Sequence, residues 1–442
     1  MEDTTVLIIG AGIAGIGAAL RLDELKIPYI IVEKESRPGG LCRTEEKNSF
    51  FFDYTGHLLH FKNEVFKKKI YTILDKNIEH RERSAWIFSN NVFTKYPFQM
   101  NLYGLPASVI VECIVKYCEV LFDERKKQPE SYEDWIIQNF GWGIGNNFLI
   151  PYTKKMLKLD PKMLLPETGG RFVPKANLEG MIYGAITDNS KYSIGYNAQF
   201  DYPSIGGIEA IIKGLTKNVL IHTTEKVIDI NISEKIALTN KNNEIKFKYL
   251  ISTEPIPELV KSFRSVPTEI AGCCNSLNWI SVHDINLGIN KKIAGKHWIY
   301  FPEDEFSFYR IGFPNNFSSH VVPKGCGSIY IEISHKNTSK INVSAFYQKC
   351  LKALIHLKLI DGEHNVIETQ HLKIPYAYVI YEKDTLSYVR KIKEFLEKNQ
   401  ILTAGRFGGW EYFSMEDSFL DGEKSSDKVA DMIKAANLSE AF

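Results

Sequence analysis

Four apolar residues, Val6 to Ile9, run directly into Gly10-x-Gly12-x-x-Gly15 and then into an alanine- and leucine-rich stretch that reaches Leu20. This succession predicts a buried parallel strand, a tight turn and a helix, and so commits the N-terminal part to a βαβ unit. Gly10 permits the turn, Gly12 lets the backbone approach a pyrophosphate, and Gly15 lets the helix pack on the strand. The helix N-terminus favours the phosphate charge. "YIIVE" from Tyr29 predicts a second strand ending at Glu33, where a carboxylate accepts from ribose hydroxyls and disfavours a ribose 2′-phosphate. An ADP-ribose with free hydroxyls is the expected ligand fragment.

A nicotinamide-binding unit can end at Glu33. Here "RPGGLCRT" adds Gly39, Gly40 and Arg43, a second small-residue turn followed by a cation. This G-G-x-x-R-T pattern after a dinucleotide unit resembles the flavoprotein group of amine oxidases, phytoene desaturases, protoporphyrinogen oxidases and UDP-galactopyranose mutases. The resemblance implies FAD and an α/β fold: a Rossmann-like FAD-binding domain of the GR2 type, with an inserted helical region and an antiparallel-sheet substrate domain. It places Val227 beside the adenine and Gly405, in "ILTAGRF", against the pyrophosphate or ribityl chain. In "SMEDSFLDG", Ser414, Asp417 and Ser418 stand at helix-capping distance, so that backbone donors near Asp417 and Ser418 face the pyrimidine edge of a flavin.

With 442 residues, 44% of them apolar and 24% charged, the chain can bury two or three sizeable cores. A net charge of +1 provides no global field for nucleic acid or an acidic membrane, so a phosphorylated ligand must be held by local cations. Seven cysteines without C-x-x-C pairs read as reduced thiols, and no His/Cys spacing suggests a metal. Glu2, Asp3 and the three glycines argue against a signal sequence, and no stretch has the apolar length of a membrane span. A cytoplasmic protein is expected; the oligomeric state is not legible.

Changes of texture divide the chain into five pieces. Residues 1–90 carry the Rossmann-like part, and 91–195 form a mainly helical insert that includes "ASVIVECIVKYCEVLF". Strand-rich residues 196–268 return to the FAD-binding part. Alternating segments such as "SIYIEIS" predict an antiparallel sheet within 269–390, and 391–442 close on the cofactor.

"FDYTGHLLHF", "KYPFQMN", "FLIPYTKKMLKLDPKML", "FYR" and "GRFGGWEYFSMEDSF" follow in that order along nearly the whole chain. This order resembles the UDP-galactopyranose mutase family. The resemblance implies a nucleotide-sugar pyranose/furanose mutase in surface glycan biosynthesis, active with reduced FAD and using flavin N5 as nucleophile. It places His57 beside the flavin, and Arg171, Arg310 and Arg406 around a substrate diphosphate, which guanidinium forks match bidentately. Tyr96, Phe98 and Gln99 fall near the nucleotide base, and Tyr152, Asn197, Tyr378 and Tyr412 contact substrate. His60 reads equally as a core histidine, and Phe407 as core. A nucleotide-diphosphate sugar is the implied partner, with an external reductant such as NAD(P)H compatible with it. The family's Y-x-x-K-x-W motif appears here as "YTKKML", with Leu157 in the tryptophan's place, which would remove an indole from the substrate pocket. Shared FAD motifs leave a second reading open, an FAD-dependent oxidase, desaturase or dehydrogenase.

Overall fold

The computed structural model describes residues 1–124, 127–169, 173–188, 198–339 and 342–440. Two sheets organise it. In the first, strand Glu2–Ile9 lies parallel to Tyr29–Val32 on one side and to Glu244–Ser252 on the other, with Val6 opposite both Tyr29 and Tyr249. Strand Ile401–Thr403 pairs parallel to Glu244–Ser252, and Ile236–Thr239 and Val227–Asn231 extend the sheet antiparallel. The apolar run Val6–Ile9 is buried throughout, as a strand covered on both faces requires. Helix Ile13–Leu25 covers one face and packs backbone-close on helix Met415–Glu440: a Cβ on Gly17 would stand 2.4 Å from the Phe419 carbonyl oxygen, and one on Gly422 2.0 Å from that of Ala14. The C-terminal helix thus completes the N-terminal unit, because only glycine permits that approach.

The second sheet has seven strands in the order Val366–Val379, Trp279–Ile289, Gly327–Lys336, Arg310–Gly312, Trp298–Tyr300, Ala85–Ser89 and Val92–Lys95. All its pairings are antiparallel except Trp298–Tyr300 against Ala85–Ser89. The alternation in "SIYIEIS" sets the faces. Ile329, Ile331 and Ile333 pack with Leu351 and Leu354 of helix Val343–His356, while Tyr330 and Glu332 point the other way, toward the first sheet. Both faces are buried, so polar groups on the second face must find partners inside the protein.

Helices Ala107–Leu121, Tyr132–Ile144, Ile150–Leu157 and Leu178–Ile186 fall within residues 91–195. Ser131 and Asp134 close the start of the second as a reciprocal capping box. Leu157 sits 1% exposed in the core of this region, not in the substrate pocket as expected. The seven cysteines are free, and no helix among the described residues is long and apolar enough to cross a membrane.

Candidate functional site

A cleft of about 940 Å³ runs between the two sheets. Its outer end is built by the glycine turns. Gly10 adopts φ +93° and its N–H donates to the Val32 carbonyl at 2.8 Å. A Cβ on Gly15 would stand 1.9 Å from the Gly10 carbonyl oxygen, so Gly15 serves helix–strand contact and does not line the cleft. Gly12 bridges in parallel to Gly39, and the Gly39 N–H donates to the Ala11 carbonyl at 2.8 Å. The two small-residue turns thus form one cradle. Added Cβ atoms on Gly12 and Gly40 would point at each other's backbone, leaving a strip of main chain bare enough for a pyrophosphate to approach.

Glu33 is buried beside this strip, accepting from the Ala11 N–H at 2.8 Å and the Glu35 N–H at 2.9 Å. Each carboxylate oxygen keeps a second acceptor site, which fits a ribose. Arg43 donates from Nε to the Gly40 carbonyl at 3.0 Å and lies 5.1 Å over the Tyr54 ring. Val227 and Gly405 line the same cleft, Gly405 with φ +81° and its N–H on Asp421 at 2.8 Å. At the start of the last helix, Ser414 and Asp417 exchange hydrogen bonds: the Asp417 N–H donates to Ser414 Oγ at 3.2 Å, and the Ser414 N–H to Asp417 at 2.8 Å. Asp417 is spent on this cap and lies behind the wall, whereas Ser418 lines it. The donor set and the bare backbone fit a flavin dinucleotide laid from Glu33 toward Ser418.

The inner end is aromatic and cationic. His57 lines it, its buried Nδ1 without a hydrogen-bond partner. Burial, then the charges of Arg406 and Arg310, depress its pKa to about 4, so the ring is neutral near pH 7. His60 lines the cleft too, with Nδ1 3.2 Å from the Gln199 carbonyl oxygen and a pKa pushed down by burial to about 4. Arg310 meets Glu332 as a fork, Nε to Oε2 at 2.9 Å and Nη2 to Oε1 at 2.6 Å, and Glu332 is fully buried. Arg406 donates to the carbonyls of Phe413 at 2.8 Å and Ala377 at 3.4 Å, so its contacts leave its charge uncompensated by those partners. Tyr378 and Tyr412 stack at 5.9 Å between ring centroids, and the Tyr378 hydroxyl is 3.1 Å from that of Tyr309. Tyr152 packs edge-on to Tyr300 at 5.3 Å, which in turn faces Tyr96 at 5.3 Å. Burial raises the pKa of Tyr152, Tyr378 and Tyr412, which stay protonated donors.

The structure therefore gathers in one cleft Gly10, Gly12, Glu33, Gly39, Gly40, Arg43, Val227, Gly405 and Ser418 of the expected cofactor residues. His57, Arg310, Arg406, Tyr96, Gln99, Tyr152, Tyr378 and Tyr412 join them there. Phe98 is fully buried, stacked 5.3 Å from Phe148, and does not reach the cleft. Gln99 lines the cleft but its amide nitrogen already donates to the Pro174 carbonyl. Arg171 and Asn197 lie outside the described residues. Phe407, expected in the core, packs half-buried against the core of the first sheet and also lines the cleft, while Trp410 lies fully within that core. Sequence reasoning missed Tyr300, Tyr330, Glu332 and Arg83. Tyr330 and Glu332 stand on the strand whose alternation was legible, but nothing local showed what their face meets.

Residues 8–73 match the model of an NAD(P)-binding Rossmann-like domain. A crystal structure of reduced UDP-galactopyranose mutase superposes with a TM-score of 0.91 at 25% identity, covering 97% of this chain and 96% of that one. A putative protoporphyrinogen oxidase from Exiguobacterium sp. 255-15 gives 0.75 at 13% identity, covering 97% and 98%. Among sequences, an L-amino-acid oxidase of Crotalus adamanteus is 23% identical over 375 residues, 74% of this chain and 70% of its own length.

Proposed function

We propose, from its place as a UDP-galactopyranose mutase-like protein within the FAD-dependent amine oxidase and protoporphyrinogen oxidase superfamily, that this chain is a nucleotide-sugar pyranose/furanose mutase. The observation that carries the reading is the inner end of the cleft, where Arg310 and Arg406 line one chamber with the phenols of Tyr152, Tyr378 and Tyr412. A diphosphate needs several donors of fixed direction with positive charge behind them. Arg406 provides charge, and Arg310 engages Glu332 through Nε and Nη2, so Nη1 lies outside that fork. The phenols add neutral donors.

Gly12, Gly40, Glu33 and Ser418 would hold FAD, which in reduced form would supply nucleophilic electron density toward the anomeric carbon of the sugar. The chain's own groups hold the leaving diphosphate, stabilise the charge that develops on it, and keep it near enough to return after the sugar ring recloses. Neutral His57 adds no charge to that chamber. In this reading the product feeds surface glycan assembly in the cytoplasm, and an external reductant such as NAD(P)H prepares the flavin.

The L-amino-acid oxidase and amine oxidase relatives carry the second reading, net oxidation with Arg406 anchoring a carboxylate. Stoichiometry separates the two. Dithionite-reduced protein is incubated with a panel of nucleotide sugars, and isomers are followed by chromatography and NMR. Isomer in large excess over reductant supports the mutase, and product that tracks oxygen or acceptor one for one refutes it.

A further inference from the structure

The turn that carries His57 is held from the second sheet. Thr55 adopts φ +69°, a conformation that a β-branched residue rarely takes unaided. Its N–H donates to Asp284 Oδ2 at 3.0 Å, the same oxygen that accepts from Asn286 Nδ2 at 2.8 Å. Gly56 presses on Tyr330, whose hydroxyl would stand 2.4 Å from an added Cβ. On the other side, the Tyr54 hydroxyl donates to Glu45 at 2.9 Å, with the Arg43 guanidinium over the same ring. Asp284 is fully buried and stands opposite Glu332 in the strand register, and its Oδ1 has no partner. Two buried carboxyls therefore share the neighbourhood of one guanidinium, Arg310, which is already forked onto Glu332. With Arg310 already matched to Glu332, burial and then the neighbouring Glu332 raise the Asp284 pKa well above its ordinary value and favour the neutral acid.

We propose that Asp284 is a positioning residue that fixes the strained Thr55 turn and thereby sets His57 against the inner end of the cleft. A neutral acid suits this role. It accepts the Thr55 N–H without placing a second negative charge beside Glu332, where a substrate diphosphate would be repelled. The Thr55 turn and its Asp284 anchor are the same whichever reaction the cleft performs.

The test uses the full chain with 13C-labelled histidine and follows the His57 ring by NMR titration, assigned with His57→Gln. Wild type should titrate at about pH 4. Asp284→Asn is isosteric with the protonated acid and neutral, so it should titrate within about half a unit of wild type and keep the same thermal midpoint within about 2 °C. Asp284→Ala releases the turn, and His57 should move up by a unit or more toward its ordinary value as water reaches the ring. If Asp284→Ala fails to fold, Asp284→Thr offers a hydroxyl of smaller size and should give an intermediate shift. Unchanged His57 titration in Asp284→Ala or Asp284→Thr would overturn the proposal. So would an Asp284→Asn protein that behaves like the alanine variant, because the group that matters would then be the charge. These readouts involve no nucleotide sugar, so their failure is separate from failure of the mutase reading.

Discussion

Replacing Arg310 with alanine should cost far more stability than a surface arginine would. The guanidinium makes two bonds to Glu332, at 2.9 and 2.6 Å, and Glu332 has no exposure to solvent. Removing it leaves a carboxylate buried with no counter-charge and with Asp284 opposite it in register. Breaking a buried pair from one side costs about 3–5 kcal/mol, mostly the desolvation of the stranded charge. Adding Glu332→Gln to Arg310→Ala removes that charge and should recover a large part of the loss, whereas two independent sites would add their penalties. The assay is urea unfolding of flavin-loaded protein, read as a shift in midpoint at constant slope. The same alanine substitution should weaken nucleotide-sugar binding by about 1.5–3 kcal/mol, the value of one hydrogen bond to a charged group. A single mutant within about 1 kcal/mol of wild type, or a double mutant less stable than the single, would refute the reasoning that Arg310 is first a structural counter-ion and only through Nη1 a ligand contact.

The two outer glycines should part company. Gly15→Ala forces a Cβ to within 1.9 Å of the Gly10 carbonyl oxygen and should lower the thermal midpoint of the protein without cofactor, while Gly12→Ala, with its nearest neighbour at 4.0 Å, should keep that midpoint and lose yellow colour on gel filtration. Glu33→Ala should weaken flavin retention and also loosen the turn, since it strips acceptors from the Ala11 and Glu35 N–H groups; isothermal titration with FAD reads the first effect, and amide exchange at Ala11 and Glu35 the second. His297, 7% exposed, accepts the Ser84 N–H at 2.9 Å on Nδ1 and has its pKa pushed down by burial to about 4. Because its folded value lies below the unfolded one of about 6.5, its contribution is complete above pH 6.5 and is lost as pH falls to 4. Urea midpoints of wild type and His297→Asn should therefore converge on acidification over that window, the wild type losing up to about 3 kcal/mol relative to the variant.

Local chemistry made much of this protein legible in its residues. The strand from Val6, the spacing of Gly10, Gly12 and Gly15, the end of the second strand before Glu33, the turn at Gly39 and Gly40, and the Ser414–Asp417 cap are all dictated within a few residues of chain. Steric limits on the backbone leave such turns few alternatives. The alternation of "SIYIEIS" likewise announced which residues of that strand share a face. Tertiary structure alone decided what each face meets. Pairing of Trp279–Ile289 and of Arg310–Gly312 with Gly327–Lys336 sets Asp284 and Arg310 against Glu332, and packing of the second sheet on the N-terminal part turns Asp284 into the anchor of Thr55. Phe98 and Leu157 turned into the helical core, while Phe407 packs on the core of the first sheet and also borders the cleft. These outcomes depend on contacts between residues far apart in the chain, whose energies are set by burial and charge balance in a low-dielectric interior, and no spacing along the sequence encodes them.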